Sequence, residues 1–238
     1  MYISPLNRLS PLGGGLIGGN FSLASALHQW NYQNTVVDGT TTTVPDTGSV
    51  GGMPMANPDA GSQPTLTADY LEFDGINDLI EYVVADFMSG STTGIVHSCI
   101  DSVNSDPMVV FSSANSAIPT EYLLFNNTGA NDNQANLNGT NIKRTTPTIG
   151  TGKQVISFVQ DGTSLYILHN GVKVLVYTTS TLTTQWFDDL TSTQISLGTN
   201  KTSSPFFTSL RLKYISYGNY SSEANAIIDA LKIVNSDL

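Results

Sequence analysis

The chain has 238 residues and a formal net charge of −10, with only 12% charged side chains. That length suits one all-β unit with a core of its own, and the single cysteine, Cys99, excludes a fold stapled by internal disulfides. Nine Lys and Arg against nineteen acids exclude a nucleic-acid binder and argue against an anionic membrane surface, since both need clustered cations.

Residues 1–27 stand apart. "MYISPLNRLSPLGGGLIGG" scatters single apolar residues among Pro and Gly and follows neither a helical nor a strand period. Pro and Gly also break any apolar h-region ahead of "ASA" at Ala24–Ala26, so the segment is expected to be an uncleaved tail rather than a signal peptide. No apolar run approaches the roughly 18 residues of a membrane span, so no membrane insertion is expected. Such a segment cannot offset its own ordering entropy. It is expected to order by docking on another chain through Met1, Tyr2, Ile3, Leu6, Leu9, Leu12, Leu16 and Ile17. The alternative is that it packs back on its own domain.

From Trp30 to Pro64 turn formers dominate, which predicts short strands joined by surface loops. "GIVHSCI", "MVVF" and "EYLLF" read as strands, and "NNTGANDNQANLNGTN" at 126–141 as a polar loop. In "KQVISFVQDGTSLYILHNGVKVLVY" the pairs Asp161-Gly162 and Asn170-Gly171 predict two hairpin turns and a three-stranded antiparallel meander, placed mid-sheet by apolar residues on both faces. "TQISLG" and "FFTSLRLKYISYG" add two strands. In the second, Phe206, Leu210, Leu212 and Tyr214 share one face, while Arg211 and Lys213 share the other. "SSEANAIIDALKIV" turns helical, with Ser221 or Ser222 as cap and Ala224, Ile227, Ile228, Leu231 and Val234 as its apolar stripe. Many short strands and one terminal helix predict a two-sheet all-β sandwich.

The order "HQWNYQ", "PDTGSVGG", "GSQPTL", "LEFDGINDLIEY", "SLYILHNGVKV" and "ISLGT…FFTSLRLKYISYGNYSSEANAIIDAL" resembles the laminin-G/concanavalin-A-like jelly roll over roughly residues 28–235. The resemblance implies an antiparallel jelly-roll sandwich over 28–238, with a C-terminal helix, behind a tail at 1–27. A short Gly/Pro-rich anchor ahead of one jelly roll is similar to the layout of bacteriophage head-fibre, decoration and tail-fibre proteins. By that analogy the chain is expected to be a non-enzymatic virion protein on the particle exterior, held to a capsid or tail partner. Adhesion to a host-surface glycan and homo-oligomerisation accompany the expectation. The competing reading is a free carbohydrate-binding lectin.

Catalysis finds little support in the residues. Related glucanases carry E-x-D-x-x-E on one strand, where two carboxylates flank a sugar bond. Glu72-Phe73-Asp74 begins that pattern, but position 77 is Asn, and Glu81, Glu121 and Glu223 supply no partner. Asp74 and Asp78, with Asp69 and Asn77, are the metal candidates; against this, Asp74 is expected to hydrogen-bond its own turn while Gly75 takes positive φ. His28, His97 and His169 lack ligand spacing, and Cys99 reads as a small core residue. No G-x-S-x-G elbow or phosphate loop is present, and no cofactor is expected. Sequons at Asn20, Asn126, Asn138, Asn200 and Asn219 are expected by chance in so Asn-rich a chain. Tyr122, Trp186 and Tyr220 are the candidate glycan-stacking rings, with core or edge packing as the competing role.

Overall fold

The computed structural model describes residues 21–83, 93–102, 112–114, 126–127, 132–137, 140–145, 151–177, 194–200, 206–207, 209–219 and 222–238. In chain order the strands are β1 (Ala26–Asn31), β2 (Val36–Asp38), β3 (Thr41–Val44), β4 (Met55–Ala56), β5 (Thr65–Leu66), β6 (Leu71–Asp74), β7 (Ile80–Val83), β8 (Thr93–Ser102), β9 (Ser112–Ala114) and β10 (Asn126–Asn127). They continue as β11 (Asp132–Leu137), β12 (Thr140–Thr145), β13 (Gly152–Asp161), β14 (Leu165–His169), β15 (Val172–Tyr177), β16 (Gln194–Leu197), β17 (Thr199–Asn200), β18 (Phe206–Phe207) and β19 (Ser209–Gly218), and helix α1 (Glu223–Val234) closes the fold.

Two antiparallel sheets carry the architecture. One runs β15-β14-β13-β8-β19-β6-β5, and β1 also pairs with β19; the other runs β2-β3-β4-β7-β16-β9. β19 pairs with β6 through Ser209–Leu212 and with β1 through Tyr214–Gly218, so one strand joins the early and late parts of the chain. The inward face of the first sheet carries Leu71, Phe73, Ile100, Phe158, Leu210 and Leu212, which cluster with Met55, Ile80, Ile195 and Leu197 of the second. Burying each such side chain contributes about 1.5–3 kcal/mol. The result is the expected all-β two-sheet sandwich with a C-terminal helix.

The outward face of the first sheet is also covered. Val155, Cys99 and Tyr214 lie side by side across β13, β8 and β19, as do Ser157, His97 and Ser216. Helix α1 packs over β13 and β8, and Phe21 sets its ring edge-on to Tyr214 at 5.2 Å. Ser222 caps the helix as expected, its hydroxyl accepting the Asn225 N–H.

The buried stripe of α1 is Ala226, Asp229, Ala230 and Ile233; of the expected stripe, Ile227 and Val234 pack half-buried against the core while Ala224, Ile228 and Leu231 are exposed. Ile228 and Leu231 are 50% and 40% exposed. Small alanines let the helix axis approach a flat sheet closely, so the bulkier residues turn outward. Three further expectations are corrected. The meander forms one end of its sheet with β15 outermost, and its faces are apolar because the second sheet and α1 cover them. Its first turn is centred on Gly162-Thr163: Asp161 N–H donates to Ser164 O, and only Gly162 has positive φ, the pattern of a type II′ turn. The expected polar loop at 126–141 is largely a small sheet, β10-β11-β12.

The second meander turn is as expected, with Asn170 (φ 49°) and Gly171 (φ 80°) both left-handed. The sandwich begins before residue 28, since β1 starts at Ala26 and Leu23 is buried. The expected strands "MVVF" and "EYLLF" and the face of Phe206 lie outside the described residues and side chains.

Candidate functional site

Local hydrogen bonds hold the Asp74–Asp78 corner. Asp74 Oδ1 accepts the N–H groups of Ile76 (2.7 Å), Asn77 (3.2 Å) and Asp78 (3.4 Å), and Asp78 Oδ2 accepts the Asp74 N–H at 2.9 Å. Gly75 takes φ 78°. The two carboxylates thus staple the turn where the chain leaves one sheet at β6 and enters the other at β7. Burial pushes Asp74 up, but its three N–H donors outweigh this and hold it below the usual carboxylate range. Burial, with Asp74 beside it, raises Asp78. No group of three or more metal-ligating side chains occurs among the described residues. Glu72 lies on the outer face, where Arg211 Nε donates to it at 3.0 Å, and Arg211 stacks over Tyr70 at 4.7 Å. Lys213 Nζ donates to Asp69 O at 2.7 Å.

A second buried carboxylate, Asp46, organises the N-terminal strands. It accepts the N–H of Gln29 and of Gly48 at 3.0 Å each, the Met53 N–H at 3.3 Å, and pairs with His28 Nδ1 at 2.7 Å. Burial pushes its carboxyl up, yet the His28 bond and the backbone donors outweigh that and hold it low. Gly48 lies so close to β1 that a Cβ there would stand 2.2 Å from Leu27 O. Here "PDTG" is a clamp on β1, with Trp30 Nε1 donating to Met53 O at 2.7 Å.

The remaining histidines are structural too. His97 is wholly buried, its Nδ1 2.7 Å from Ser157 Oγ, and burial lowers it to about 4 against a weaker opposing pull from Asp229. His169 Nε2 sits 2.8 Å from Gln154 Oε1. Burial pushes the Cys99 thiol up to about 12, which leaves it unreactive.

A surface pocket of about 360 Å³ opens where the approach to β1 meets α1, lined by Ala24, Ser25, Asn219, Asn225, Ile228, Asp229 and Lys232. Gln29 places its first wall: its Oε1 accepts Leu23 N–H (3.0 Å) and Tyr214 OH (2.8 Å), and its Nε2 donates to Ser22 Oγ and Thr47 O. The helix supplies the other wall. Asp229 is 4% exposed and ties the walls together, accepting the Ser25 hydroxyl and the Lys232 ammonium (2.7 Å). Asn219 Oδ1 accepts the Thr93 hydroxyl.

Sequence reading missed this pocket. Its residues are 194 apart or more between Ser25 and Asn219, and the available hint was an acid set within an apolar helical stripe. Ala24, Asn219 and Ile228 line it, and in sequence they stood out only as part of a small-residue run, a sequon and an apolar helical stripe. Tyr122, Trp186 and Tyr220 lie outside the described residues, as do Met1, Tyr2, Ile3, Leu6, Leu9, Leu12, Leu16 and Ile17.

The architecture defines a jelly-roll-like β-sandwich. No protein-family model matches the sequence, and no curated protein matches it. Among solved structures the fold is similar to domain 4 of an extracellular arabinanase from Geobacillus stearothermophilus, determined in complex with arabinotriose. The TM-score is 0.55 at 16% identity, over 87% of this chain and 98% of that one. The botulinum neurotoxin serotype D binding domain matches with TM-score 0.60 at 10% identity, over 87% of this chain. A Trypanosoma rangeli sialidase matches with TM-score 0.58 at 10% identity, over 98% of this chain. The chain spans 50% of that toxin domain and 37% of the sialidase.

Proposed function

We propose that the chain is a non-catalytic carbohydrate-binding module. The observation that supports this most is the match across nearly the whole of the arabinanase domain solved with arabinotriose. Among the described residues, Glu72, Asp74, Asp78 and Asp46 are each occupied in holding strands or turns, which fits a role in the fold for these four acids. The test is a glycan array probed with the full chain, carrying arabinotriose among neutral and acidic oligosaccharides. Selective retention on one sugar class is expected, with no release of reducing ends on incubation. Silence across the array overturns the reading.

A second reading concerns where the module sits. We infer from the Gly/Pro-rich apolar residues 1–20 that the module is displayed on the exterior of a bacteriophage particle, anchored by that segment to a capsid or tail protein. Mass spectrometry of gradient-purified particles should then detect the chain, and a 1–20 deletion should lose particle association. Absence from the particles removes this reading and leaves carbohydrate binding standing.

A further inference from the structure

We propose that the pocket between residues 24–25 and α1 is the carbohydrate subsite, and that it takes a neutral sugar through neighbouring hydroxyl groups. This rests on the carbohydrate-binding reading above and adds the place and the ligand class.

Sugar hydroxyls both donate and accept, so a site for them needs polar groups of both kinds beside an apolar patch. The pocket supplies that mixture. The Asn225 side chain makes no hydrogen bond among the described residues and offers an acceptor and two donors. The Thr93 hydroxyl occupies Asn219 Oδ1 and so sets which end of that amide, its NH2, is left for a ligand. Lys232 Nζ carries three N–H groups and donates one to Asp229, which fixes the ammonium at the pocket wall. Ile228, half exposed on the same helix face, gives the C–H side of a sugar ring an apolar surface.

Charge selects the class. Among the described residues, Asp229 and Lys232 are the only charged ones lining the pocket, and they cancel. The chain around them is strongly acidic, at −10, so an anionic sugar gains no net cation and meets a repelling field. The volume of about 360 Å³ falls within the range of small-molecule sites, about 300–1,000 Å³.

The experiment takes the neutral oligosaccharide retained most strongly by the full chain and measures its affinity in Asn225→Ala, Lys232→Gln and Ile228→Asp. Asn225 and Ile228 are exposed, so melting temperatures of their variants should stay near that of the parent, whereas Lys232→Gln takes the cation from buried Asp229 and its binding is read well below its own melting temperature. Asn225→Ala and Lys232→Gln should each weaken binding about 3- to 10-fold, and Ile228→Asp, which puts a charge on the apolar wall, at least 10-fold. Affinity within twofold of the parent in all three variants overturns the site while leaving carbohydrate binding intact. Retention of acidic sugars alone overturns the neutral-ligand assignment. Silence of the parent on every sugar overturns the underlying reading, and the site with it.

Discussion

Two glycines and two acids show how narrowly single residues are constrained here. Gly48→Ala would drive a methyl group into the backbone of Leu27 and His28, at 2.2 and 2.5 Å. Because backbone cannot swing aside as a side-chain tip can, the expected loss is about 3 kcal/mol or more in urea unfolding. Gly198 is held as tightly, with φ 84° and a would-be Cβ 2.4 Å from Phe73. At the β6–β7 corner the two acids should respond oppositely. Asp74→Ala removes the acceptor of three N–H groups and should cost about 1–2 kcal/mol. Asp78→Asn keeps an acceptor for the Asp74 N–H while removing a charge that burial and Asp74 both disfavour. Its melting temperature at pH 7 should equal or exceed that of the parent, and a clear fall would show that the ionised form is needed. The motif "FDGIND" was legible as a turn because Asx turns are local, four residues long, and carry their own chemistry.

Elements were legible where their period or turn chemistry was strong. The Asn170-Gly171 hairpin and the extent of β19 follow from local rules, but not its facing: a register shift between Leu212 and Tyr214 turns Tyr214 to the face opposite Leu210 and Leu212, where it was expected to join them. Helix α1 was legible in extent and cap but not in facing. Its sequence offers two apolar stripes, and local hydropathy favours the one with Ile228 and Leu231. Sheet proximity reverses that choice, since a close-packed helix is limited by volume rather than by hydropathy. Ala230→Leu should therefore cost about 2–3 kcal/mol by overpacking, while Leu231→Ser should change stability by less than about 0.5 kcal/mol. Equal effects at the two positions, read by chemical denaturation, would contradict the helix orientation. The turn at Gly162-Thr163 shifted by one residue for a related reason. Asp161 spends its carboxylate on the N–H groups of Thr163 and Ser164, which fits the residue before the turn rather than its centre.

At the scale of the whole molecule, the outward face of the first sheet depends on both ends of the described chain. Phe21 and Leu23 cover it from one side and α1 from the other. Deleting residues 1–20 should leave the melting temperature within about 2 °C, whereas deleting 1–25 should lower it by about 5 °C or more. Acid should also act on the molecule as a unit. His97 titrates near 4 in the fold but near 6.5 when exposed, so the unfolded state takes up its proton first as pH falls. Stability from this group is full at neutral pH and declines between about 6.5 and 4. Asp46 and Asp74, both held low, add a further loss as pH drops through their folded values, below 3.8. A urea midpoint that stays constant from pH 7 to pH 4 would contradict the burial of His97.

Composition and local pattern determined by themselves that this is an all-β sandwich with a terminal helix, without internal disulfides and without an E-x-D-x-x-E run at Glu72. Those properties follow from short-range terms: strand alternation, turn φ preferences and side-chain inventory. Tertiary structure alone decided that β1 begins ahead of the expected boundary, that the alanine face of α1 is the buried one, and that Ser25, Asn219, Asn225, Asp229 and Lys232 share a pocket. Those outcomes depend on which surfaces meet after the sheets have formed. Residues almost two hundred positions apart become neighbours only because β19 brings the last quarter of the chain alongside the first strand.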